Sequence, residues 1–183
     1  MISPHPLDGG IFGYMLPEQL EWLQEQARRR WRILELGAFL GRTTVALAQA
    51  TKGIVHVVDH WQGSSDPGDV CASGPEIMDQ FLENVKRLAN VTVWCGESEE
   101  VWKKMGHLRF DMVWIDADHT YAHVARDIRL WRSYLVPGGL LCGHDGEYPG
   151  VKRAVEELVP GAEYQPFPQP PPFPPALIWF KEC

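Results

Sequence analysis

The sequence predicts an α/β fold: a doubly wound, mostly parallel seven-stranded sheet with helices on both faces and an antiparallel hairpin at its C-terminal end. Five short apolar runs, at 33–36, 54–58, 91–95, 112–115 and 140–142, recur with helical stretches between them. Continuous apolar runs alternating with helices are the pattern of a parallel sheet covered on both faces. The 183 residues suffice for one full-sized core, and a hydrophobic fraction of 45% with 22% charge is ordinary for a globular chain. One domain is expected over 1–183: a helical region at 1–30, a core at 31–159, and a hairpin with a proline-rich loop at 160–183.

The elements follow in order. Residues 17–30 place Leu20, Trp22, Leu23 and Ala27 close to helical spacing, with Pro17 at a helix-start position. Further helices are expected at 42–52, 76–89, 98–105, 121–135 and 151–158. Pro137-Gly138-Gly139 reads as a stop and turn before the fifth strand. The segment 167–175, FPQPPPFPP, excludes helix and central strand, and 176–180 reads as a final strand after it. A proline tract also suits an SH3-like partner, but a strand that follows at once favours an ordered loop.

Several function classes are excluded early. The net charge is −7 and the only basic cluster is Arg28-Arg29-Arg30, so a nucleic-acid face is not expected. That run suits the C-terminal end of a helix, where cations oppose the dipole. Cys71, Cys95, Cys142 and Cys183 show no CxxC spacing, and Cys95 and Cys142 read as small core residues. No secretory leader or membrane span is visible, so a cytoplasmic setting is expected. The eight tryptophans read mainly as core.

In open parallel α/β sheets, ligands bind outside the carboxyl ends of the strands. Those ends carry Glu35, Gly37 and Gly41; then Asp59, His60 and Trp61; then Gly96, Glu97 and Ser98; then Asp116, Asp118, His119 and Tyr121; then His144 and Asp145. Ionisable groups and glycines therefore gather on one rim while the strands are apolar. Gly37 and Gly41 permit close approach of backbone to a ligand, and the helix after Gly41 offers free amides. Asp59 follows Gly37 by 22 residues, where an acid suits a ribose diol. The spacing is neither GxGxxG nor GxxxxGK[ST], and Glu35 in the turn would repel pyrophosphate but attract a cation. A ligand with a ribose, a positive charge and no phosphate fits S-adenosylmethionine.

The succession E-x-G-x-x-x-G-x-T, VVDHW, GES, WIDADHTY and VPGGLLCGHD, over residues 31–159, resembles the class I S-adenosylmethionine-dependent methyltransferases with their Rossmann-like sheet. The resemblance is nearest to small O-methyltransferases of the catechol and caffeoyl-CoA type and to sugar and natural-product relatives. It implies that Glu35 and Gly37, with Phe39 and Thr43 beside them, contact the amino-acid part of the cofactor. It further implies that Asp59 holds the ribose, with His60 and Trp61 following, and that Gly96, Glu97 and Ser98 line the adenine pocket. Asp116 would stand by the methyl group and, with Asp145, bind a divalent ion, Mg²⁺ or Mn²⁺. The catechol type places asparagine after that second acid, where this chain has Gly146; some relatives place a ligand before it, where this chain has His144. His119 takes the place of a basic lysine and is a candidate general base.

Bland readings stand beside these. Glu35 could cap the turn, Asp59 pair with an arginine, and Asp116 and Asp145 cap turns, with His144 equally a hydrogen-bonded structural residue and His119 an exposed helix opener. Asp118 and Tyr121 would organise a helix start, Asp127 would pair within its helix, and His5, His56, His107 and His123 would be structural. Apolar walls are expected from Phe39, Trp61 and the 167–173 loop, with Trp61, Asp66 and Asp69 facing an acceptor such as a sugar or a phenol. So little chain precedes the first helix that any N-terminal lid is small or supplied by a second copy, which is the ground for expecting a homodimer. The rivals are a metal-independent N-methyltransferase, a nicotinamide oxidoreductase on the same frame, and a non-catalytic S-adenosylmethionine-binding protein.

Overall fold

A computed structural model describes residues 10–65 and 72–183. His5, Asp66, Asp69 and Cys71 lie outside the described residues. The chain runs α1 (Pro17–Ala27), β1 (Arg32–Leu36), α2 (Arg42–Ala50), β2 (Ile54–Asp59), α3 (Pro75–Val85), β3 (Val91–Cys95) and α4 (Ser98–Met105). It continues through β4 (Phe110–Ile115), α5 (Tyr121–Arg132), β5 (Leu135–Gly143), α6 (Pro149–Leu158), β6 (Glu163–Phe167) and β7 (Ala176–Glu182). The sheet order is β3-β2-β1-β4-β5-β7-β6, with β1–β5 parallel and β7 antiparallel to both of its neighbours.

Alternation along the strands divides the core into two layers. Ile33, Val55, Val57, Met112 and Trp114 face one way and pack with Leu20 and Leu23 of α1, Leu47 of α2 and Phe81 of α3. Leu34, Leu36, Val113 and Ile115 face the other way, against Val101 of α4, Ile128 and Trp131 of α5 and Val155 of α6. Three helices cover each face, as a doubly wound sheet requires. Among the described residues no helix is long and apolar enough to cross a membrane.

The expected turn at Pro137-Gly138-Gly139 lies inside β5. Leu135 pairs with Phe110 and Leu140 pairs with Met112, so the three residues form a bulge within one strand. The bulge is held because Gly138 and Gly139 exchange backbone bonds with Cys183 at the end of β7. Pro166 sits in β6, the outer edge strand, where a missing ladder donor is tolerated. Most tryptophans are core, Trp114, Trp131 and Trp179 completely so, but Trp31 is 64% exposed.

The strand order reverses between β1 and β4, where crossovers leave in opposite directions and open a crevice. The strand ends there are stitched together. Gly37 N–H donates to Val58 O at 3.0 Å, Asp116 N–H to Leu36 O at 2.9 Å, Gly96 N–H to Asp59 O at 2.9 Å and His144 N–H to Ile115 O at 3.1 Å.

Candidate active site

Above these ends lies a cavity of about 580 Å³, within the range of small-ligand sites. The glycine turn forms one wall. Gly37 has φ +82°, and a Cβ there would fall 2.6 Å from Ala117 Cα, so only glycine lets β1 close against the end of β4. Phe39, Trp61 and Asp145 take left-handed backbone with φ of 49°, 54° and 57°, and all three line the cavity.

Asp59 organises this wall. One carboxylate oxygen accepts the N–H groups of Ala38 (2.7 Å) and Phe39 (3.1 Å), and the other accepts that of Trp61 (2.7 Å). Trp61 Nε1 then donates to Phe39 O at 2.9 Å. Three of roughly four acceptor positions are thus engaged by backbone, leaving capacity for one further donor. Trp61 is 4% exposed and packs on Phe81 at 5.0 Å, so it staples the turn more than it walls an acceptor.

Two residues expected against the cofactor lie outside the cavity lining. Glu35 is fully buried, its carboxyl accepting the hydroxyls of Thr43 and Thr44, and burial raises its pKa to about 8. It braces the turn from beneath while Thr43 lines the cavity itself. Gly41 caps α2 with φ +88° and packs against the Phe81 ring, away from the opening.

The opposite wall comes from β3 and α4. Gly96, Glu97 and Ser98 line it, and His60 places Nε2 3.7 Å from Glu97 Oε1 while its Nδ1 accepts Gln62 N–H. Ser98 Oγ accepts Trp131 Nε1–H at 2.7 Å and bonds Asp127, whose carboxyl pKa burial raises. Asp127, which pairs with Arg126 at 3.4 Å as expected of a helix residue, also lines the cavity. A charge at helical spacing with Val124, Ile128 and Trp131 was a sign of a buried role. His123, expected to be structural, lines the cavity too. Asp118 accepts bonds from Thr120, Ser64 and Ser65, joining the link after β2 to the end of β4. Burial opposes its charge, but these bonds hold the carboxyl well below its ordinary range.

At the ends of β4 and β5 the acids and histidines converge. His119 Nε2 lies 2.8 Å from Asp145 Oδ2, and His144 Nδ1 lies 3.1 Å from the same oxygen and 3.6 Å from Asp116 Oδ1. Burial works against a charge on Asp145, yet the two imidazoles outweigh it and hold the carboxyl low. The His119 ring stacks on Tyr148 at 4.7 Å. Asp116, His144 and Asp145 offer ligand atoms all within 4.8 Å of one another, and two carboxylates at that spacing suit a hard divalent ion.

The apolar wall expected from residues 167–173 is not there. Phe167 is buried in the core and Phe173 is 64% exposed, because the hairpin loop hangs from β6, two strands beyond β5. Tyr14, Met15, Phe39 and Ile77 supply the apolar lining instead. Tyr14 stacks on Phe39 at 6.1 Å, and Arg42 fixes this segment by donating to Gly13 O at 2.9 Å.

A doubly wound sheet with a glycine turn, an acid ending β2 and an acid–histidine group ending β4 and β5 agrees with the class I methyltransferase arrangement that the sequence motifs lead one to expect. Residues 34–146 match a methyltransferase domain family, and the chain belongs to it. No curated protein matches the sequence. Among solved structures, the O-methyltransferase of Bacillus cereus in complex with SAH is similar at 18% identity, covering 91% of this chain and 81% of that one, with a TM-score of 0.68. The O-methyltransferase TomG of Streptomyces achromogenes, involved in tomaymycin synthesis and bound to SAM, gives 16%, 92%, 81% and 0.69. The N-methyltransferase NodS of Bradyrhizobium japonicum WM9 gives 15%, 89%, 93% and 0.66, so the fold does not choose the acceptor atom.

Proposed function

We propose that the protein moves a methyl group from S-adenosylmethionine to a hydroxyl oxygen of a small acceptor, a sugar or a phenol, with help from a divalent cation. The observation that carries this reading is the His119–Asp145 pair beside Asp116, in the same cavity as the glycine turn and Asp59. A protein that only bound the cofactor would have no use for an oriented imidazole on a buried carboxylate.

Asp59 would take a ribose hydroxyl on its remaining acceptor position, while Glu97 and Ser98 flank the adenine. Thr43 and the turn amides would hold the amino-acid part. Asp145 orients His119: with Nε2–H donated to the carboxylate, the lone pair is on Nδ1, which takes the acceptor's O–H proton. When bound, the cofactor would supply a methyl group on cationic sulfur as the electrophile for the acceptor oxygen, its S–C electron pair being left on sulfur. Asp116 and Asp145 would hold the cation, whose contribution when bound is to lower the acceptor's pKa and fix its angle. The stacked Tyr14 and Phe39 rings offer a flat apolar face suited to a ring-shaped acceptor.

The test is calorimetric titration of S-adenosylhomocysteine into the protein, first with EDTA and then with Mg²⁺ or Mn²⁺. Micromolar binding is expected, weakened at least about tenfold in Asp59→Ala because three backbone N–H donors of the turn lose their acceptor and the ribose loses its partner. Absence of binding overturns the reading. Turnover that survives both EDTA and His119→Ala would move the acceptor to nitrogen.

A further inference from the structure

The carboxyl ends of the strands carry the cavity, and their amino ends form the opposite face, the base of the sheet. Across that base, in the spatial order β3, β2, β1, β4, β5, stand five cations. They are Arg87 from the link before β3, Lys52 from the link before β2, Arg32 opening β1, Arg109 just before β4 and Arg132 closing α5. All five are exposed, and none has a carboxylate partner among the described residues. Arg32, Arg109 and Arg132 bond backbone carbonyls, which leave their charge in place. The five are scattered through the sequence, and only the fold lines them up. A chain of net charge −7 thus gathers positive charge on one face. The nearby acids are engaged: Asp111 accepts the N–H groups of Trp31 and Arg32 at 2.7 and 3.0 Å, Glu83 pairs with Lys86, and Glu25 with Arg28 and Arg29. The row stops at β5, beyond which β6 and β7 bring Glu163 and Glu182.

Two apolar side chains stand in water in the middle of this row. Trp31 is 64% exposed and Ile54 45%. They are neighbours, because Ile54 N–H donates to Trp31 O at 2.9 Å. With its N–H held by Asp111 and its carbonyl by Ile54, the Trp31 backbone is fixed on both sides, so its indole is presented rather than frayed. Cations in the last turn of a helix are common because the dipole attracts them. That accounts for Arg132, but not for Arg32 and Arg109, which lie outside the helices, nor for an indole held in water beside them.

We infer that the base of the sheet is a docking face for membranes of anionic phospholipid, with Trp31 and Ile54 as its apolar contact and the row from Arg87 to Arg132 as its charged one. An indole seats at headgroup level, and unpaired cations around it meet the negative lipid surface. Nucleic acid would use the cations but not Ile54, and a single indole makes no stacking platform for successive bases. Such docking is peripheral and needs no spanning helix. It leaves the cavity, at the other end of the strands, uncovered.

Co-sedimentation of the full-length protein with phosphatidylcholine vesicles, with and without phosphatidylserine, tests the face. Binding is expected only with the anionic lipid and should fall as salt is raised. It should be the same with or without S-adenosylhomocysteine, so the outcome does not depend on methyl transfer. Lys52→Gln and Arg87→Gln should each weaken partitioning by roughly fivefold. Brominated lipid chains should quench tryptophan fluorescence in the native protein, and Trp31→Ala, a change at an exposed side chain, should remove that quenching. Equal binding to both vesicle types, binding to neither, native fluorescence that brominated lipid leaves unchanged, or binding that all three variants retain overturns the inference. Protein that ignores anionic vesicles but binds an oligonucleotide through the same residues would assign the face to nucleic acid and equally overturns it.

Discussion

At the scale of single residues, the site rests on carboxylates whose surroundings set their charge differently. Asp118 and Asp145 are held ionised by their donors, whereas Glu35 is pushed up to about 8 from an ordinary 4.5, chiefly by burial and against the Thr43 and Thr44 hydroxyls. The sign follows from proton uptake. Below the ordinary value both folded and unfolded chains hold the Glu35 proton; between there and about 8 only the unfolded chain releases it. Stability therefore falls as pH rises through that window and levels off above it, at a cost on the order of several kcal/mol for a fully buried group. Glu35→Gln should abolish this slope, since one threonine hydroxyl can keep donating to the amide oxygen while the other turns to accept from the amide NH₂. Urea unfolding at pH 5.5 and pH 8 checks it: the native protein should weaken between the two, and the variant should not weaken through this group. Sequence reading recognised Glu35 as important but placed it against the ligand. A side chain's exposure depends on which helix lands beside it, and α2 lands with two threonines over this acid.

At the scale of elements, the C-terminal hairpin does more than finish the sheet. Trp179 of β7 is fully buried, lies against Gly143 at the end of β5, and borders His119, His144 and Asp145. Leu177 N–H donates to Glu147 Oε2 at 2.7 Å, fastening β7 to the link that carries Asp145. Trp179→Ala should cost about 3–5 kcal/mol by cavity formation and weaken cofactor binding. Trp179→Phe should cost less, because an aromatic ring still fills part of the space and the indole N–H has no partner to lose among the described residues. Denaturant unfolding with parallel calorimetry separates the two. The five parallel strands and their helices were legible because apolar runs and periodicity are local signals. The start of β5 was not: Pro-Gly-Gly is a turn signal in isolation, and only β7, more than thirty residues later in the chain, converts it into a bulge. Asp127 was missed for a related reason. It is a polar residue on an otherwise apolar helix face, and the partner that explains it, Ser98, lies on a different element.

At the scale of the whole molecule, strand ends from both halves of the sheet meet over one crevice, and its ligand should brace the fold as a unit. S-adenosylhomocysteine at a hundred times its Kd should add about 2.7 kcal/mol, which for a chain of this size raises the Tm by roughly 5–10 °C. Differential scanning calorimetry with and without ligand measures this directly, and a Tm that does not move would contradict a cavity built from β1, β2, β4 and β5 together. Around that crevice Phe39 and Trp61 hold a backbone shape that bulky side chains adopt reluctantly. Exchanging Phe39 for glycine or asparagine should relieve on the order of 1 kcal/mol of that strain, whereas at Trp61, buried and packed on Phe81, the lost packing outweighs the relief.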